Sequence, residues 1–123
     1  MYDIIVVGAG PAGLTAALYA LRASKSVLVI EQWTFGGQVT FSPKIENYPG
    51  IPEMSGNEFA DKLLDQVLSM GAEVEMEKVT GISDLGGHKT VFAGNKAYEA
   101  KAVIIAVGVR HRQLGLPRAN ELV

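Results

Sequence analysis

The sequence predicts an α/β fold in three layers, with a parallel sheet and a small antiparallel meander. Three observations predict it. Three short runs of β-branched and aliphatic residues, at 3–7, 26–30 and 102–106, are apolar apart from the leading Asp3 and Ser26, as strands buried on both faces are. Two stretches between them carry helical periodicity. Paired turn signals at Gly86-Gly87 and Gly94-Asn95 divide residues 81–99 into short strand-like pieces.

Each element has its own warrant. DIIVV at 3–7 reads as a buried parallel strand, followed by the turn GAGPAG. Leu14, Ala17, Leu18 and Leu21 fall at helical spacing, so a helix is expected over 13–23. SVLVI at 26–30 is the second strand, and it closes a βαβ unit at Glu31. Residues 32–53 lack sustained periodicity and are rich in Gly, Pro, Ser and Asn, the pattern of a long functional loop. Ser55 and Glu58 form an S-x-x-E capping box ahead of Phe59, Ala60, Leu63, Leu64, Val67 and Leu68, and Gly71 suits the helix's C′ position. Residues 73–79 alternate and are read as a third parallel strand. The meander follows over 81–85, 89–92 and 97–99, as a small inserted antiparallel sheet. AVIIA at 102–106 is a further buried strand. Helices on both faces of the sheet are expected to explain its apolar strands. The polar, turn-rich stretch 109–123 reads as a linker.

Composition narrows the function. The chain has 123 residues, 48% of them hydrophobic, enough for one globular domain. A net charge of −2 gives no electrostatic case for nucleic acid or an anionic membrane. The longest apolar run, AVIIAVGV, is far shorter than the roughly 20 residues of a membrane span. A chain that opens directly on a strand points to a cytoplasmic setting. With no cysteine, this sequence holds no disulfide, thiolate metal site or redox dithiol. Its two histidines, His88 and His111, lie far apart, which argues against a metal site.

The chemistry is concentrated in the first turn. Gly8, Gly10 and Gly13 form GxGxxG between a strand and a helix, inside a βαβ unit that ends in an acid. In that context the pattern predicts a Rossmann-like fold that binds a dinucleotide. Gly8 allows the tight turn, Gly10 the approach of a diphosphate, and Gly13 close packing of helix on strand. The helix N-terminus offers free N–H groups and a positive dipole end to the diphosphate. Glu31, 18 residues beyond Gly13, is placed to accept hydrogen bonds from the adenosine ribose and to repel a 2′-phosphate. The motif serves FAD and NAD alike. The second glycine stretch, FGGQ at 35–38, helps to separate them: Gly36 and Gly37 let main chain lie against a ribityl chain or ring, and Gln38 and Asn47 offer donors and acceptors. Trp33 beside the adenosine side reads as a loop anchor before a stacking surface.

VVGAGPAGLTAALYALR, FGGQVTFSPKIENYPG and AVIIAVGV followed by LGLP, in this order and spacing, resemble the FAD-binding domain of low-molecular-weight thioredoxin reductases. The resemblance runs from about Tyr2 to Pro117. It implies FAD contacts at Gly8, Gly10, Pro11, Ala12, Glu31, Gln32, Gly37, Gln38 and Asn47. Val79 is implied to meet the adenine through its backbone as the end of the third parallel strand, and Ala106 and Gly108 match an A-T-G turn near the diphosphate. Val107 stands where that turn has threonine, so its hydroxyl contact is lost. The resemblance further implies that NADPH or NADH reduces the flavin, that a disulfide and a thioredoxin-like protein receive the electrons, and that 1–123 is one partial FAD-binding domain. The chain has neither a second GxGxxG nor a C-x-x-C nor the family's returning Gly-Asp segment, so it is expected to be the N-terminal piece of a longer reductase, inactive alone. Homodimer formation or other self-association is expected at the open side of its sheet. The alternatives are a non-catalytic NAD/FAD-binding module and a ferredoxin–NADP reductase-type flavoprotein of the same fold.

Overall fold

The computed structural model describes residues 1–33, 35–36, 49–50, 55–84 and 86–108. The described elements are β1 (Tyr2–Val7), α1 (Pro11–Arg22), β2 (Val27–Glu31), α2 (Gly56–Ser69), β3 (Glu73–Met76), β4 (Val79–Asp84), β5 (Lys89–Ala93) and β6 (Lys96–Ile105). They build an α/β domain around one six-stranded sheet in the order β3-β2-β1-β6-β5-β4. Strands β3, β2, β1 and the second half of β6 run parallel, while β4, β5 and the first half of β6 form the antiparallel meander.

The meander is therefore continuous with the parallel sheet. The two pieces expected at 97–99 and 102–106 are a single ten-residue strand, β6. It changes partners at Ala100, which pairs with Lys89 on one side and Tyr2 on the other. Ala100 is fully buried, and a small side chain suits this crowded crossing. Beyond it, no described strand pairs with the edge of β6 that faces away from β1.

The layers also differ from the expectation of helices on both faces. Both described helices pack on one face. Leu14, Ala17 and Ala20 of α1 and Val67 of α2 share a core with Val6, Val27 and Val29. The other face, formed by Ile5, Val7, Leu28 and Ile30, is covered by Val91 and Ala93 of the folded-over meander. Apolar strands require cover on both faces. Here a sheet layer supplies the second cover.

Helix α1 starts at Pro11, two residues before the expected Gly13, because the ring's fixed φ and missing N–H suit the first helical position. Helix α2 starts as expected: the Ser55 hydroxyl accepts the Glu58 N–H at 3.1 Å. It ends with Met70 as cap and Gly71 at φ +99°. No described helix is long and apolar enough to cross a membrane.

The third parallel strand ends at Met76, earlier than expected. The Glu77 N–H donates to the Glu31 carbonyl at 3.0 Å, and the chain then turns into β4. Val79 thus opens the first meander strand, which corrects its expected place at the end of the third parallel strand.

Candidate functional site

The site is built at the C-terminal ends of β1, β2 and β6. At Gly8 the chain leaves β1 with φ +107°, a conformation that side-chain-bearing residues rarely adopt. Its N–H donates to the Ile30 carbonyl at 2.8 Å. A Cβ there would collide with the Ala106 carbonyl, so β6 closes directly against the turn. Ala106 is held by its own N–H, which donates to the Val7 carbonyl at 2.8 Å. Gly13 is equally constrained, since a Cβ would run into the Gly8 carbonyl. The first and third glycines of the motif thus press α1 onto the turn that follows β1.

Gly10 is the N-cap of α1 and Pro11 its first residue. The Gly10 carbonyl accepts the Leu14 N–H at 2.9 Å, starting the helical ladder. No side chain caps this end, and its first turn carries no acid. The N–H groups of Ala12 and Gly13 belong to the first turn, where a helix has no internal acceptors for them. Ala12 is exposed. An anion accepting those N–H groups would meet the positive end of the helix dipole with no carboxylate of that turn against it.

Glu31 ends β2 and is buried, at 9% exposure. Its Oε1 accepts the Ala9 N–H at 2.9 Å and its Oε2 the Trp33 N–H at 2.8 Å. The acid therefore ties the glycine turn to the end of β2. Each carboxylate oxygen can accept more than one hydrogen bond, so ribose hydroxyls can be received as well. Gly36, buried at φ +105°, sends its N–H to the Ala9 carbonyl and fixes the chain at that point to the same turn.

A cleft of roughly 210 Å³ opens beside this turn. It brings together Gly8, Glu31, Gln32 and Val79 from the sequence-predicted set. Trp33, Glu77, Ile82, Ile105 and Val107 also line it and were not predicted as site residues. Trp33 had a signal, its place two residues after Glu31. The others depend on where β4 begins and how β6 ends. Gly108 follows at φ +73°, exposed and outside the cleft lining. Gly37, Gln38, Asn47 and the expected linker 109–123 lie outside the described residues.

The groups with shifted ionisation stand away from the cleft. A hydrogen bond to Glu73 pushes the Tyr2 phenol up to about 12, with burial adding to the shift. The Ser26 N–H, with Lys101 beside it, holds the Asp3 carboxyl below its ordinary value, and Lys89 does the same for Asp84. Among the described residues no group of histidines, cysteines and carboxylates is arranged to hold a metal ion.

These features define a Rossmann-like α/β domain of the FAD/NAD(P)-binding type. The model of the pyridine nucleotide-disulphide oxidoreductase family matches residues 2–123, and the chain belongs to that family. It is 44% identical to a thioredoxin reductase of Listeria monocytogenes over 99% of its own length and 38% of the relative's. The thioredoxin reductase of Lactococcus lactis superposes with a TM-score of 0.89 at 38% identity, covering 95% of this chain and 39% of that one. That of Streptococcus pyogenes gives 0.88 at 45% identity, covering 95% and 38%. The chain thus spans well under half the length of these relatives.

Proposed function

We propose that this chain holds the adenosine end of FAD in a flavoprotein disulfide reductase resembling thioredoxin reductase. The observation that carries the proposal is the juxtaposition of the Gly8–Gly13 turn with the buried Glu31 carboxylate. Gly8 and Gly13 leave no room for side chains, and α1 begins with a first turn that has neither a side-chain cap nor an acid. Glu31 is hydrogen-bonded to that turn at Ala9, with lone pairs to spare. These residues fit an adenosine diphosphate: the first turn of α1 receives the diphosphate and Glu31 the ribose. Gly37, Gln38 and Asn47 are proposed for the flavin side, and Ala106 and Gly108 for the diphosphate side of the same ligand.

When bound, FAD supplies the hydride-accepting and electron-passing chemistry. The chain's own contribution is binding and orientation. In the whole protein we propose NADPH or NADH as reductant and a thioredoxin-like protein as acceptor, with a cytoplasmic setting. Residues 109–123 are proposed to lead toward a nicotinamide-nucleotide domain. The edge of β6 beyond Ala100 supports self-association, which light scattering over a concentration series measures.

Equilibrium dialysis against FAD, NADH and NADPH in parallel tests the assignment. Saturable FAD binding that is lost in Gly10→Arg is the expected result. Binding of NADH with none of FAD would overturn it.

A further inference from the structure

Trp33 and Ile82 are two large apolar residues of the cleft that the nucleotide fingerprint does not use. Trp33 is 57% exposed and Ile82 41%. Both line the cleft that holds Glu31.

The position of Ile82 follows from a break in the strand. The register of β4 against β5 shifts between Val79 and Gly81, so Val79 faces Ala93, Gly81 faces Phe92 and Ile82 faces Val91. One extra residue, Thr80, lies in that step, and it reverses the alternation. Val79 and Ile82, three apart in sequence, therefore share one side of the meander. It is the core side, because their partners Ala93 and Val91 are fully buried against the parallel sheet. Ile82 thus faces inward on an edge strand yet keeps much of its surface accessible where the cleft opens.

Trp33 comes from the end of β2. Its N–H is held by Glu31 Oε2 at 2.8 Å, which fixes the backbone that carries the indole. The cleft accordingly has an aromatic ring and an aliphatic pair, Val79 and Ile82, in its lining, with two carboxylates, Glu31 and Glu77, in the same lining. A flat heteroaromatic base on a ribose suits this set: the base meets the apolar groups and the ribose hydroxyls reach the acid.

We infer that Trp33 and Ile82 clamp the adenine of the bound dinucleotide, with Trp33 as its stacking surface. The inference rests on the proposed nucleotide site. The indole covers the base from the β2 side, and the bulged start of β4 supports it from the meander side. Trp33 is the only tryptophan, so its emission reports directly on the slot.

The test is a calorimetric titration of the 123-residue chain with ADP, paired with Trp33 fluorescence. Wild type is expected to bind ADP with saturable quenching of Trp33. Trp33→Ala weakens ADP binding about tenfold, within the range of base–aromatic stacking, while Trp33→Phe stays within about threefold of wild type. Ile82→Ala weakens it by about threefold, as the loss of part of one apolar wall. Unchanged Trp33 emission at saturating ADP, or equal ADP affinity in a folded Trp33→Ala chain, would overturn the clamp and leave the nucleotide site standing. No calorimetric binding of ADP to folded wild type would overturn the nucleotide site, and the clamp with it.

Discussion

Replacing Glu31 in the absence of nucleotide isolates its structural work. Its two oxygens accept the Ala9 and Trp33 N–H groups at 2.9 and 2.8 Å. Ala9 is fully buried, whereas Trp33 is 57% exposed. Glutamine keeps one acceptor and brings two donors. In Glu31→Gln the amide oxygen goes to Ala9, whose N–H has no route to water, and the Trp33 N–H turns to solvent. One charge-assisted bond becomes neutral and one is exchanged for water, at a cost of about 2 kcal/mol. Glu31→Ala orphans the buried Ala9 N–H as well, and the cost rises to about 3–4 kcal/mol. Thermal unfolding followed by circular dichroism, without nucleotide, reads these as drops in Tm of roughly 8 °C and 12–16 °C. The order matters more than the size. Equal losses in the two variants, or losses within about 1 °C of wild type, would refute the view that this carboxylate ties the glycine turn to β2.

The remaining predictions concern packing and ionisation. Gly13→Ala drives a Cβ into the Gly8 carbonyl and is expected to cost more than about 3 kcal/mol, read as a large fall in denaturant midpoint or as loss of the folded chain. The Tyr98 hydroxyl is buried with no hydrogen-bond partner among the described residues, so Tyr98→Phe is expected to leave stability unchanged or raise it by about 1 kcal/mol in the same denaturation. Glu73 raises the Tyr2 pKa from 10.0 to about 12, so the folded state holds this proton more tightly than the unfolded chain. Its stabilising contribution is complete below pH 10 and is lost as pH rises toward 12. The stability difference between wild type and Tyr2→Phe should therefore shrink across that window, and a constant difference would count against the Tyr2–Glu73 bond.

Much of this architecture is legible in the sequence where local rules and packing agree. The glycine spacing, Glu31 and the apolar runs locate the βαβ unit to within two residues, and Ser55 with Gly71 brackets α2, because caps and turns are set by the residues that form them. Three features depend on distant partners. Ala100 and Lys101 look like a break between two strands, yet they lie within one strand that changes neighbours at Ala100. Apolar strands say that both sheet faces are covered, and not that the meander rather than a helix covers one. The bulge at Thr80 moves Ile82 into the cleft, and nothing in VTGISD marks it beyond Gly81. For the site itself, the glycine turn and the acid were readable. Of the apolar walls only Val79 was named, since Ile82, Ile105 and Val107 reach the cleft only through the register of the sheet.

The most direct test of the central claim compares FAD with FMN, which carries the same flavin without the adenosine half. In a titration of the folded chain followed by flavin absorbance and fluorescence, FAD should bind saturably and FMN far more weakly, because the contacts proposed at Gly8–Gly13 and Glu31 fall on the adenosine diphosphate half that FMN lacks. Equal binding of FMN and FAD, or no binding of FAD, would contradict the account.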